Sequence, residues 1–121
     1  MLKTSYYANF RSFPEGTIRV SISLKTPPGA ADIHIPELAP DAALLWDYKA
    51  GRTNKAGYTL RYTMKLKKLL DSGKLSEIFA PLIAESRPVI LLCYERPGAF
   101  CHRRILADFV SRNLGIEIPE L

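Results

Sequence analysis

The sequence has no apolar run near the roughly 20 residues that span a bilayer. Its first residues, Met1-Leu2-Lys3-Thr4-Ser5-Tyr6-Tyr7, lack the apolar stretch of a signal peptide. Neither membrane insertion nor secretion is expected, and the reading is a cytoplasmic protein. Internal repeats and low-complexity tracts are missing as well, which argues against a solenoid and against disorder. Cysteine is scarce: Cys93 and Cys101, eight positions apart, are the two present. In a cytoplasmic chain they are expected as reduced thiols rather than as a structural disulfide. An Arg-Pro-Gly turn between them leaves a redox pair open, though they form no CxxC motif.

What is present fits one globular domain spanning residues 1–121, since a chain of this size leaves nothing over for a second core. Hydrophobic residues make up 47% and charged residues 24%, ordinary for a soluble fold. Seventeen basic against twelve acidic residues give a net charge of +5. That surplus raises the local concentration of anionic partners, whether small molecules or nucleic acid. It equally fits a merely basic, solvated surface.

Residues Thr4 to Phe10 read as a first strand, and Arg11 to Gly16 as a loop. Ile18 to Leu24 alternates apolar and polar residues, the period of a half-buried strand. Lys25 to Pro40 holds four of the nine prolines and is expected to be mostly irregular, with His34 a solvated side chain. Asp41 is placed to cap a helix that ends near Gly51. Apolar spacing predicts helices over Thr59–Leu70 and Leu75–Ala84, the lysines of the first lying on its wet face. Pro88 to Cys93 is a continuous apolar run, as in a strand buried on both faces at a sheet centre. Ala99 to Leu114 reads as a helix closed by Gly115, and Ile116 to Ile118 as a last short strand. Strands divided by helices imply an α/β fold: a small, mostly parallel sheet with helices on both faces, a Rossmann-like three-layer sandwich.

The junction between Cys93 and Arg104 carries the chemical argument. A helix amino terminus holds about half a positive charge and unpaired N–H groups, so cations there cost up to about 1 kcal/mol each. This helix nevertheless begins with His102, Arg103 and Arg104. An anion bound at that point removes the conflict, because amides, dipole and guanidinium then converge on one phosphate, sulfate or carboxylate. Gly98 would let such a ligand approach the backbone. Arg103 is expected as the anion ligand at the edge of the core, and Arg104 as a surface residue paired with Asp108 four positions on. The alternative is that both arginines face solvent or that Glu95 neutralises one.

Cys93, beside the same terminus, is a candidate nucleophile with His102 as its base and Glu95 as an orienting group. A small buried hydrophobe is the plainer role for it. The phosphatase pattern of Cys followed six positions later by Arg is absent, because residue 99 is Ala and residue 107 is Ala. Zinc ligation by Cys93, Cys101, His102 and His34 has atypical spacing, so neither a metal nor any other cofactor is expected.

Phe10-Arg11-Ser12-Phe13-Pro14, Leu91-Leu92-Cys93-Tyr94-Glu95 and Cys101-His102-Arg103 together resemble the family known as domain of unknown function 488. Leu44-Leu45-Trp46-Asp47-Tyr48-Lys49 and Tyr58-Thr59-Leu60-Arg61-Tyr62 are similar to its middle region. Asn9-Phe10 replaces the acidic residue that usually precedes the arginine. The resemblance implies a compact α/β fold and a site shared by the Arg11 loop and the Cys-His-Arg helix, without implying an activity.

The expected function is an anion site, for phosphate, nucleotide or nucleic acid, formed by Arg11, Ser12, Gly98, Cys101, His102 and Arg103. An enzyme acting on a phosphate-bearing substrate fits that site. Two alternatives stand beside it: a non-catalytic nucleic-acid-binding module using Lys65, Lys67, Lys68 and Lys74, and a thiol-based redox or sulfur-transfer protein using Cys93 and Cys101.

Overall fold

The computed structural model describes residues 1–95 and 100–121. Its sheet has four strands, β1 (Leu2–Tyr6), β2 (Ile18–Ser21), β3 (Ile33–His34) and β4 (Val89–Cys93). Their order is β1-β4-β2-β3, and every pairing is parallel. The helices are α1 (Ala42–Lys49), α2 (Lys55–Asp71), α3 (Lys74–Ala84) and α4 (His102–Leu114). The parallel sheet with its helices is a three-layer α/β fold.

Strand β4 lies between β1 and β2, as its unbroken apolar run predicts, and all five of its residues are buried. Side chains alternate between the faces of a strand, so the register puts Leu2, Thr4 and Tyr6 on one face with Val89, Leu91 and Cys93. Helix α4 packs on that face, with Leu106 and Val110 in the same core as Val89 and Leu91. Ser5, Ser21, Ile90 and Leu92 point the other way. A 3-10 turn, Tyr7–Ser12, covers part of that second face: Tyr7 bonds Ser21, and Asn9 bonds Ser5.

Several expected boundaries move, each for a local reason. The first strand stops at Tyr6 rather than Phe10, because Asn9 donates to Ser5 four residues back and curls the chain. The proline-rich segment is not wholly irregular. It contributes β3, held by Asp32 N–H to Arg19 carbonyl and Ile35 N–H to Ser21 carbonyl bonds. Asp41 stands at the α1 cap position, but its carboxylate pairs with Lys65 at 2.8 Å instead of capping. Lys65 also bonds the Ala39 carbonyl, so it is not part of a wholly free lysine face. Helix α2 begins earlier than expected, at Lys55, where Asn54 caps the Gly57 amide. The segment Ile116–Ile118 is not a strand; the tail meets β1 through a single bridge between Thr4 and Glu120.

Candidate functional site

Parallel strands bring their carboxyl ends to one edge of the sheet, where Tyr6 of β1 stands level with Cys93 of β4. Helix α4 starts just above. Its first three residues are His102, Arg103 and Arg104, with Cys101 at the cap position. The expectation of a cationic first turn holds, and so does its need for negative charge.

That charge comes from the protein itself. Arg103 is 1% exposed, deeper than the core-edge position expected for it. Its guanidinium forms an ion pair with Glu120 at 2.8 Å. Its Nη1 donates to the Cys93 sulfur at 3.1 Å and to the Glu95 carbonyl, and its plane lies 5.9 Å over the Tyr6 ring. Burial alone raises the Glu120 carboxyl, but hydrogen bonds from Arg103 and Thr4 and the charges of Arg103 and Arg104 outweigh it and leave the carboxyl below its usual range. Glu95 therefore serves through its backbone carbonyl, and its own side chain is exposed.

Arg104 does not pair with Asp108, which bonds Arg112 instead. It reaches across to the Thr4 hydroxyl and the Ile118 carbonyl, both at 2.8 Å. The two arginines thus fasten β1, α4 and the carboxyl-terminal tail to one another.

His102 is buried, and its Nε2 lies 2.6 Å from the Ile22 carbonyl. A carbonyl only accepts, so Nε2 carries the proton and Nδ1 is left with a bare lone pair. Nδ1 faces the Cys101 sulfur at 3.7 Å, so the imidazole addresses Cys101 where the sequence suggested Cys93. Burial, opposed by the Ile22 bond and reinforced by the charges of Arg103 and Lys65, lowers the His102 pKa to about 4. The ring is neutral at physiological pH. Tyr62 packs edge-on against it, 5.4 Å between centroids.

The two sulfurs meet. Cys93 and Cys101 are joined as a disulfide, where separate reduced thiols were expected. One sulfur is carried by the end of β4 and the other by the cap of α4, and these rigid elements hold them together. Cys93 is buried, whereas Cys101 is half-buried.

Other expected members stand elsewhere. Arg11 and Ser12 are exposed at the end of the 3-10 turn, with Arg11 stacked 5.7 Å over the Phe10 ring. Gly98 lies outside the described residues. His34 is exposed in β3 and bonds the Ser23 carbonyl at 2.8 Å, so it does not join the cysteines. Tyr94 and Tyr7 meet edge to face at 5.0 Å beside the Cys93 strand end.

The chain matches DUF488-N3a, the active DUF488-N3 subclade, over residues 9–114. It belongs to the DUF488 family. The matched stretch includes Arg11, Ser12, Cys93, Glu95 and the run Cys101-His102-Arg103, while Glu120 lies beyond it. The family's description names no reaction. No curated protein and no solved structure gives a match. Among the described residues no helix is long and apolar enough to cross a membrane.

Sequence reasoning missed Glu120, Thr4, Tyr6 and the Ile22 carbonyl. The missing counter-charge for Arg103 was itself the signal. A carboxylate after Pro119 was available to answer it, but seventeen residues separate it from the arginine.

Proposed function

We propose that this protein works by sulfur chemistry, with Cys93 as the reacting thiol and Cys101 as the thiol that closes a disulfide on it. The contact between Arg103 Nη1 and Cys93 Sγ at 3.1 Å carries this reading. A guanidinium against a sulfur, beside a helix amino terminus, favours the thiolate, which is the nucleophilic form.

The step is a thiol–disulfide exchange. The Cys93 thiolate attacks the disulfide of a substrate, forms a mixed disulfide and expels one substrate thiolate. Cys101, its S–H oriented by His102 Nδ1, then attacks the Cys93 sulfur. The second substrate thiolate leaves and takes up the Cys101 proton. The first substrate thiolate takes from solvent the proton that Cys93 released on ionising, so the substrate disulfide is reduced to two thiols and the protein dithiol is oxidised to the Cys93–Cys101 bridge.

The test is to reduce the full chain, expose it to a small aliphatic disulfide, and follow intact mass with alkylation of the remaining thiols. Loss of two hydrogens, with both cysteines protected from alkylation, is the expected result. A mixed disulfide that persists, or thiols that remain alkylatable, defeats the reading.

A second reading places an anionic substrate, phosphate-bearing or nucleic acid, at the same helix start, with Arg11, Ser12, Gly98, Cys101, His102 and Arg103 as its candidate ligands. Its support is that Cys101 caps α4 without a side-chain bond, which leaves first-turn amides for a guest. Thermal melts at low salt with phosphate, nucleotides and oligonucleotides test it. A melting temperature unmoved by all three removes it.

A further inference from the structure

We propose that Cys93, Cys101 and His102 form a site for a thiophilic d10 cation of the zinc class, occupied when the two cysteines are reduced. This goes beyond the sulfur chemistry above and assigns a role to its resting dithiol state.

One ligating atom from each of the three residues lies within 4.8 Å of the other two. Tetrahedral zinc with S bonds of about 2.3 Å and N bonds of about 2.0 Å sets its ligand atoms roughly 3.5–3.8 Å apart, so small side-chain adjustments complete the triangle. Two thiolates and an imidazole are soft donors, which select zinc over magnesium or calcium.

The imidazole is already arranged as a ligand. Metal-bound histidines almost always donate the second ring N–H to a carbonyl or carboxylate, which fixes the tautomer and the ring plane. Here Nε2–H donates to the Ile22 carbonyl at 2.6 Å, and the bare Nδ1 points at the Cys101 sulfur. The Arg103 N–H on Cys93 is the corresponding outer support for a thiolate.

Charge points the same way. Among the described residues, the guanidinium that touches the Cys93 sulfur is that of Arg103, and it is shared with Glu120. A reduced pair ionised together would place two negative charges beside a guanidinium already shared with Glu120, at a site where Cys93 is almost wholly buried, which is costly. A dication cancels both.

Three protein ligands leave a fourth position for water or a substrate sulfur, the pattern of a reactive rather than a sealed site. Disulfide formation must then release the ion. With a peroxide as oxidant, the two bound thiolates lose two electrons to form the bridge, hydrogen peroxide takes up those electrons and two protons to give two waters, and the dication departs.

The experiment titrates the reduced full-length protein with Co2+ as spectroscopic probe, followed by displacement with Zn2+ against a chromophoric chelator. One equivalent of Co2+ with a thiolate-to-metal charge-transfer band is expected, together with at least about tenfold weaker Zn2+ binding in Cys101→Ser and in His102→Gln. Cys101→Ser, altering the half-buried ligand, guards against a loss that merely reports misfolding, and its circular dichroism should match the parent. Absence of the charge-transfer band in the reduced parent, or equal affinity in folded Cys101→Ser, overturns the site. The two proposals fail separately. A disulfide that forms in a protein blind to Co2+ removes only the metal site, and a Co2+-binding protein whose thiols never pair removes only the exchange chemistry.

Discussion

The Arg103 guanidinium meets the Glu120 carboxylate side-on, with Nε at 3.1 and 3.2 Å from its two oxygens and Nη2 at 2.8 Å, while Nη1 turns to the Cys93 sulfur. One cation is thereby divided between a carboxylate and a sulfur. Under the proposed sulfur chemistry, the share each receives would set the reactivity of the reduced sulfur.

Removing the carboxylate charge should give the whole guanidinium field to Cys93. In reduced Glu120→Gln, alkylation of Cys93 at neutral pH is expected to be faster than in the parent, because the guanidinium charge no longer shared with a carboxylate favours the thiolate. Stability should drop by about 2 kcal/mol, since a buried cation loses its partner. Alkylation rate against pH and urea unfolding read the two effects. Slower alkylation would contradict the shared-cation picture.

Arg103→Lys keeps the charge but loses the planar fork that serves Glu120, Cys93 and the Glu95 carbonyl together. Destabilisation of roughly 2–4 kcal/mol is expected, with slower alkylation of Cys93 in the reduced protein once its N–H donor is lost. A lysine variant indistinguishable from the parent in urea would show that charge alone suffices.

Acid should loosen the latch. The folded Glu120 carboxyl titrates below its usual range, so the unfolded chain takes up that proton first. Its stabilisation is complete above the ordinary carboxylate pKa and is lost as pH falls through the folded value. Urea midpoints measured into the acid range should fall for the parent and flatten in Glu120→Gln. Parallel curves for the two would assign the acid loss to other groups.

Tyr62 is fully buried and donates to the Leu38 carbonyl at 2.6 Å. Tyr62→Phe leaves that carbonyl without this donor, and a loss of about 1–2 kcal/mol is expected by chemical denaturation. No change would mean that the carbonyl finds another donor.

The parts of this fold that could be read from the residues are those governed by one period. The run from Val89 to Cys93 admits burial on both faces and little else, and Leu75, Ile78, Phe79 and Leu82 mark one stripe of α3. The 3-10 turn at Tyr7 was hidden because its cause is a side-chain bond from Asn9, not a pattern. The site was half legible. Cations in the first turn of α4 announced that negative charge had to be near, because that conflict is local. The answer came from Glu120, which the chain brings close only after the whole sheet has formed. The pairing of Cys93 with Cys101 likewise depends on where a strand ends relative to a helix start, which spacing alone does not fix.

His102 is bonded to a carbonyl eighty positions earlier in the chain, and such a long closure is made late, after most of the conformational entropy has been given up. Until the last helix docks, the imidazole has no fixed tautomer and Cys101 no neighbour to orient it. The alignment of ring, sulfur and carbonyl is therefore a property of the completed native state and of no earlier stage.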